Sequence, residues 1–323
     1  MPEVQVGRVR LYYERQGSGE PLLWITGYGS SSTIFDPVIP RYVRDFDCIS
    51  FDNRGAGRSA SIRGPVSIPD LAADATGLLD QLGVDSAHVL GVSMGGMIAQ
   101  ELAIRFPHRV RGLVLGCTTS GGHGTTLPGS REQRLILSRL REPPSAETLG
   151  ELLFSESFRR EADERLDASL RHFRAHRPSR SAIFGHLLAM LMHDTSRRLH
   201  LIQAPTIVVH GDQDALVPVE NGRRLAAGVP GAELHVVEGA GHAFGMERPG
   251  RTYEVLQDWL ERHAPIEAGV PPQGAAAARE RLSRSLALPV GAAVLTRTLA
   301  GRCVAVEGGR RRESRHPRSG AVG

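Results

Sequence analysis

Apolar and polar positions alternate at the start of the chain, with Val4, Val6, Val9, Leu11 and Tyr13 as the apolar set, which predicts an opening hairpin. Residues 22–26 (LLWIT) form a short apolar run ending at a glycine, the pattern of a buried strand. Runs at 48–51, 87–90, 112–116, 206–210 and 233–237 read the same way. Between them the period changes. Leu71, Ala75, Leu78, Leu79 and Leu82 share one side of a helix over 69–82, stopped by Gly83. A second helix spans 97–106 and ends at Pro107, and a last amphipathic one spans 251–263. Strands alternating with helices predict an α/β protein with a mostly parallel sheet covered on both faces.

The alternation breaks between 118 and 200. A glycine-rich loop at 120–129 leads into helical segments at 131–140, 146–153, 161–174 and 181–192. An all-helical insertion between two strands reads as a cap over the edge of the sheet where its strands end, the edge at which open α/β sheets bind ligands. Phe184, Leu187, Leu188, Met190, Leu191 and Met192 are expected to pack that cap against itself. The organisation expected is therefore a core from 1–117 and 201–264, a cap at 118–200, and a tail at 265–323. The tail is low in complexity, without a clean period, and is expected to be disordered.

Charge supports this division. The chain carries +4 overall, and the stretch from Ala264 onward holds ten Arg and four Glu, leaving the rest weakly acidic. The basic character belongs to the tail and not to a binding face; a basic tail could touch nucleic acid or a membrane, but a solvated extension with no nucleic-acid partner is expected. Every basic residue other than histidine is arginine. With the abundant Ala, Gly and Pro, this resembles proteins of GC-rich bacterial genomes. Cys48, Cys117 and Cys303 are far apart and odd in number, which argues against a disulfide framework or a zinc site. No apolar leader opens the chain and no run approaches the roughly 18 apolar residues of a membrane span, so a cytoplasmic protein is expected.

Gly91-Val92-Ser93-Met94-Gly95 is a G-x-S-x-G sequence. About 0.3 such matches would arise by chance in a chain of this composition, so the setting decides. It follows the strand at 87–90 and precedes a helix, the strand–turn–helix context of a nucleophile elbow. The helix N-terminus beneath Ser93 favours developing negative charge. A serine hydroxyl needs a base, and His242 lies on the glycine-rich loop Glu238–His242 directly after the last strand. Most of the other histidines, including His88, His210 and His235, are expected to be packing or surface residues. The base needs a carboxylate, and Asp212 and Asp214 both follow the strand at 206–210. Asp214, at the far end of the loop, is favoured, and Asp212 is expected to organise the turn through backbone amides. The chain order Ser, Asp, His agrees with this assignment. Two backbone N–H groups would form an oxyanion hole, from Met94 and from the loop after residues 22–26, with Tyr28 the favoured second donor.

Asp52-Asn53-Arg54-Gly55-Ala56-Gly57-Arg58-Ser59, Gly91–Gly96, Pro205–Pro218 and Gly239–Pro249 together resemble the α/β-hydrolase superfamily, and within it the capped esterases and lactonases similar to 3-oxoadipate enol-lactonase, proline iminopeptidase and antibiotic methylesterases. The resemblance spans residues 4–263. It implies an α/β-hydrolase fold and hydrolysis of an ester, lactone or thioester of a small molecule, with C–C or amide hydrolysis, cofactor-free perhydrolysis and a silent binding protein as alternatives. The serine at the elbow speaks against haloalkane and epoxide chemistry. Asp52 and Arg54 are expected to serve the loop structurally. One departure is Thr26-Gly27, where the family usually carries His-Gly. No metal motif or dinucleotide fingerprint occurs, so neither a cofactor nor a metal is expected.

Overall fold

A computed structural model describes residues 2–263, apart from 63, 139, 141, 142, 162 and 177. The tail expected at 265–323 lies outside the described residues. Eight strands form one sheet in the order β1-β2-β4-β3-β5-β6-β7-β8. They are β1 (Glu3–Val6), β2 (Val9–Gly17), β3 (Glu20–Ile25), β4 (Phe46–Phe51), β5 (Ala87–Val92), β6 (Val110–Gly116), β7 (Thr206–Gly211) and β8 (Glu233–Val237). β1 and β2 form the hairpin, β2 meets β4 antiparallel, and all further pairings are parallel.

The central strands are buried on both faces, and their side chains divide by alternation. Leu23, Ile25, Val89, Leu113 and Leu115 join one core with α1 (Ile68–Gln81) and α2 (Met94–Arg105). Leu22, Trp24, Leu90 and Val114 join the opposite core, shared with Trp259 and Leu260 near the chain's last described residues. Local signals set the helix ends. Ser67 and Asp70 cap α1 reciprocally: the Ser67 side chain accepts the Asp70 N–H, and Asp70 accepts the Ser67 N–H. α2 begins at Met94, three residues before the expected start, because Gly95 and Gly96 hide a helical first turn from a periodicity argument.

Between β6 and β7 lie α3 (Ser130–Ser138), α4 (Ala146–Leu153), α5 (Glu156–Glu161), α6 (Asp163–Arg174) and α7 (Arg180–Leu191). The helix expected over 161–174 is found as α6, and α5 before it was not expected. Leu149, Leu152, Leu153, Phe154, Phe158 and Leu170 give this segment its own small core, with Phe154 stacked on Phe158 at 5.3 Å. The two ends of the segment meet at an antiparallel bridge between Gly121 and Asp194. The expected self-packing of the apolar residues of α7 needs correction. Its inward face carries Ala182, Ile183, His186 and Ala189, and the helical period sends Phe184, Leu188, Leu191 and Met192 to solvent.

After β7 come α8 (Glu220–Gly228), the short α9 (Phe244–Glu247) and α10 (Pro249–His263). Among the described residues no helix is long and apolar enough to cross a membrane.

Candidate active site

β5 delivers the chain into Ser93 at φ +59° and ψ −123°, one of two non-glycine residues with positive φ among those described. Such a backbone costs about 1–3 kcal/mol and persists only where its surroundings over-determine it. Here the Ser93 N–H donates to the Gly116 carbonyl at 2.9 Å, and the Ser93 carbonyl accepts from Gly96 N–H at 2.9 Å and from the Thr118 hydroxyl at 2.7 Å. Glycine is required on either side. A Cβ at Gly91 would stand 2.2 Å from the Gly95 carbonyl oxygen, and one at Gly95 would stand 2.1 Å from that of Ile25. Met94 is the first residue of α2, where the backbone N–H has no intrahelical acceptor. Tyr28 lies on the loop after β3 and lines the same cavity as Ser93.

His242 and Asp214 come from the loops after β8 and β7. His242 Nδ1 and Asp214 Oδ2 are 2.7 Å apart, both residues buried. The other Asp214 oxygen accepts the N–H groups of Leu216 and Val217, each at 2.9 Å. Burial alone would push this carboxyl up. His242 and His210 outweigh that and hold it well below the usual carboxylate range. Asp212 makes no such pair. Its Oδ1 accepts the Gly239 N–H at 2.7 Å, so it ties the loop after β8 to the loop after β7.

Three buried residues that sequence reasoning passed over, or gave only a packing role, contact this machinery. His210 is fully buried, with Nε2 2.7 Å from the Val217 carbonyl and 3.5 Å from Asp214 Oδ2. The first contact requires Nε2 to carry the proton, so His210 braces the Asp214 loop. Cys117, the other positive-φ residue, directly follows β6 and has no exposure. Burial and the Asp214 charge push its thiol well above the ordinary value, so it stands beside the pair as a neutral thiol. Glu247, at the end of α9, accepts the Gly241 N–H at 2.8 Å. The segment after His242 was part of the recognised sequence pattern, but nothing in the periodicity singled out Glu247.

Cys117, Asp214 and His242 offer one potential metal-ligand atom each within 4.8 Å of one another. Ligands on a tetrahedral ion with bonds of about 2 Å stand about 3.3 Å apart. The 2.7 Å imidazole–carboxylate contact is a hydrogen bond, and the cluster as it stands fits a proton rather than an ion.

The loop after β3, which opens with Thr26-Gly27, is held by side chains that follow β4. Asn53 donates from its carboxamide to Thr26, and Asp52 accepts the Ser32 N–H at 2.6 Å and the Arg58 N–H at 2.7 Å. Arg54 pairs through two bonds of 2.5 Å with Asp74 on α1, while its carbonyl meets His186 Nε2 of α7 at 2.9 Å.

Ser93 and His242 face one cavity of about 290 Å³. Trp24, Phe35, Leu90 and Phe244 line it from the sheet side, and Leu153, Phe173, Ile183 and Met190 from the inserted helices. Arg174 and Arg180 also reach its lining from that segment. A space this size takes a small organic molecule, and its lining favours apolar groups.

Residues 20–249 match the family model for the alpha/beta hydrolase fold. The chain is 30% identical over 246 residues to a poly(3-hydroxyalkanoate) depolymerase of Ectopseudomonas oleovorans, covering 75% of this chain and 84% of that protein. It is 32% identical over 266 residues to a 2-hydroxy-6-oxononadienedioate/2-hydroxy-6-oxononatrienedioate hydrolase of Paraburkholderia phymatum, covering 78% and 91%. Among solved structures, a thermophilic esterase from Thermogutta terrifontis superposes with a TM-score of 0.71 at 27% identity, covering 81% of this chain and 99% of that one.

Proposed function

The chain belongs to the alpha/beta hydrolase fold family, and on that premise we propose that it is a serine hydrolase cleaving a carboxylic ester, lactone or thioester of a small apolar molecule through an acyl-enzyme. The observation that carries the reading is that His242, held by buried Asp214, lines the same cavity as Ser93. Asp214 fixes the His242 tautomer by accepting from Nδ1–H, which leaves Nε2 free to accept a proton. His242 takes the Ser93 hydroxyl proton as the oxygen attacks the carbonyl carbon. The tetrahedral oxyanion is received by the N–H groups of Met94 and Tyr28, donors each worth roughly 10²–10³ in rate at comparable sites. His242 then gives its proton to the leaving alcohol or thiol. A water deprotonated by the same imidazole attacks the acyl-enzyme, the acyl–oxygen bond to Ser93 breaks, and His242 returns the proton to the Ser93 oxygen as the acid is released.

The apolar lining supports an acyl or alcohol portion that is mostly hydrocarbon. The test is fluorophosphonate labelling of the purified protein, followed by a series of p-nitrophenyl esters of rising chain length, lactones and methyl esters. Stoichiometric label on Ser93 with turnover of at least one ester class is expected. A protein that takes no label at Ser93 would instead be a silent binding protein on this scaffold.

A further inference from the structure

His242 is anchored from its two chain neighbours as well as from Asp214. Glu247 is 1% exposed and makes no ion pair among the described residues. Its carboxyl accepts three hydrogen bonds instead. Oε1 takes the Gly241 N–H at 2.8 Å and the Ser155 N–H at 3.0 Å, and Oε2 takes the Ser155 hydroxyl at 2.6 Å. Ser155 sits between α4 and α5, in the inserted helical segment. On the other side of His242, the Ala243 N–H donates directly to the Leu153 carbonyl at 2.8 Å. Gly241 is pressed into this junction: a Cβ there would stand 2.8 Å from Ser155 N and 3.0 Å from Glu247 Oε1.

A buried carboxyl without an ion-pair partner is costly unless its donors are in place. All of its donors come from two places, the residue before His242 and one residue of the helical segment. We infer that Glu247 is a positioning residue for His242, clamping the loop of the base to the helical segment at Ser155. The base is then in register with Ser93 only when that segment is seated. The segment lines the cavity through Leu149, Leu152 and Leu153, immediately before the clamp, so the same short stretch meets substrate and holds the base. This inference rests on the hydrolase reading, with His242 as base.

The experiment uses the full chain with Glu247→Ala, Glu247→Gln and Ser155→Ala. Active sites are titrated with a fluorophosphonate, and kcat, KM and the rate of Ser93 phosphonylation are taken per titrated site. Displacing a reacting group by about 1 Å costs up to about 10²-fold. Glu247→Ala should lower kcat about ten- to hundredfold with KM within about twofold, and phosphonylation should slow by the same factor. Glu247→Gln should stay within about threefold of wild type. Its carbonyl can accept both N–H bonds while its amide donates to the Ser155 hydroxyl. Ser155→Ala keeps the backbone bond and should lose about threefold in kcat, and it decides the matter if Glu247→Ala fails to fold. Wild-type kcat per titrated site in Glu247→Ala, wild-type kcat in Ser155→Ala, or a loss confined to KM would overturn the clamp. Failure of wild type to label at Ser93 would instead overturn the hydrolase reading.

Discussion

The Asn53 carboxamide donates to both oxygens of Thr26, the carbonyl at 3.2 Å and the hydroxyl at 3.1 Å. The Thr26 hydroxyl itself lies 3.4 Å from the Ser30 carbonyl, so the loop carrying Tyr28 is closed at its base by these two side chains. They fix the segment that would supply the second oxyanion donor.

Asn53→Ala should therefore lower kcat by about tenfold while changing KM little, because a loosened donor is felt most in the transition state. It should also cost about 1–3 kcal/mol of stability through the buried oxygens left without a donor. Steady-state kinetics beside a thermal melt check both. A variant with wild-type kcat would remove Asn53 from the machinery.

Ser93→Ala should abolish turnover, with a drop on the order of 10⁴-fold or more, since only binding and the oxyanion site would remain. It should also relieve no fold-wide constraint, because alanine inherits the same positive φ. Stability close to wild type is the expected companion result, read by melting temperature. More than a tenth of the wild-type kcat would sink the acyl-enzyme mechanism.

Asp214→Asn and Asp212→Asn should separate widely. At 214 an amide no longer favours the productive His242 tautomer, and the expected loss is on the order of 10⁴-fold in kcat. At 212 the amide oxygen can still accept the Gly239 N–H, and most activity should survive. The reverse ranking would show that Asp212 is the orienting acid.

Acid sensitivity should trace to buried histidines. Burial holds His88, His186 and His193 down at about 4 each. An unfolded histidine titrates near 6.5. As pH falls from about 6.5 to about 4 the unfolded chain takes up protons that the fold refuses, so stability declines across that window. Asp214, held low, adds a loss only below the ordinary carboxylate range, as pH falls toward its folded value. Neither His88 ring nitrogen has a hydrogen-bond partner among the described residues. His88→Leu should thus raise stability at pH 5 by on the order of 2 kcal/mol and change it less at pH 8. Equal shifts at both pH values would show that His88 does not titrate as argued.

Much of this architecture is legible in the sequence because its signals are local. The strand at 233–237 is found where expected, and Ser93, Asp214 and His242 could be nominated because each follows a strand at one edge of the sheet. What local reasoning misses depends on contacts between distant segments. Glu247 and Ser155 are 92 residues apart, and nothing near either in sequence announces the other. Cys117 and His210 gain their places only once β6 and β7 lie side by side. Helix α8 goes unseen because its buried face is made of Asn221, Gly222 and Leu225, so no recurring apolar residues mark it.

The bridge between Gly121 and Asp194, with the Thr195 N–H bonded to the Ser120 carbonyl at 2.8 Å, brings the two ends of the helical insertion together. Seen from the sheet, the insertion is a cassette whose two ends enter and leave at one place, so its length can change without redrawing the strands. The clamp at Ser155 narrows that freedom. A foreign cassette fitted at this junction would meet an unchanged Ser93, yet it would have to bring a carbonyl in place of that of Leu153 and a donor pair in place of Ser155. Diversification of what this scaffold accepts should therefore concentrate at the cavity-facing positions of α6 and α7, such as Phe173, Ile183 and Met190, away from the stretch between α4 and α5.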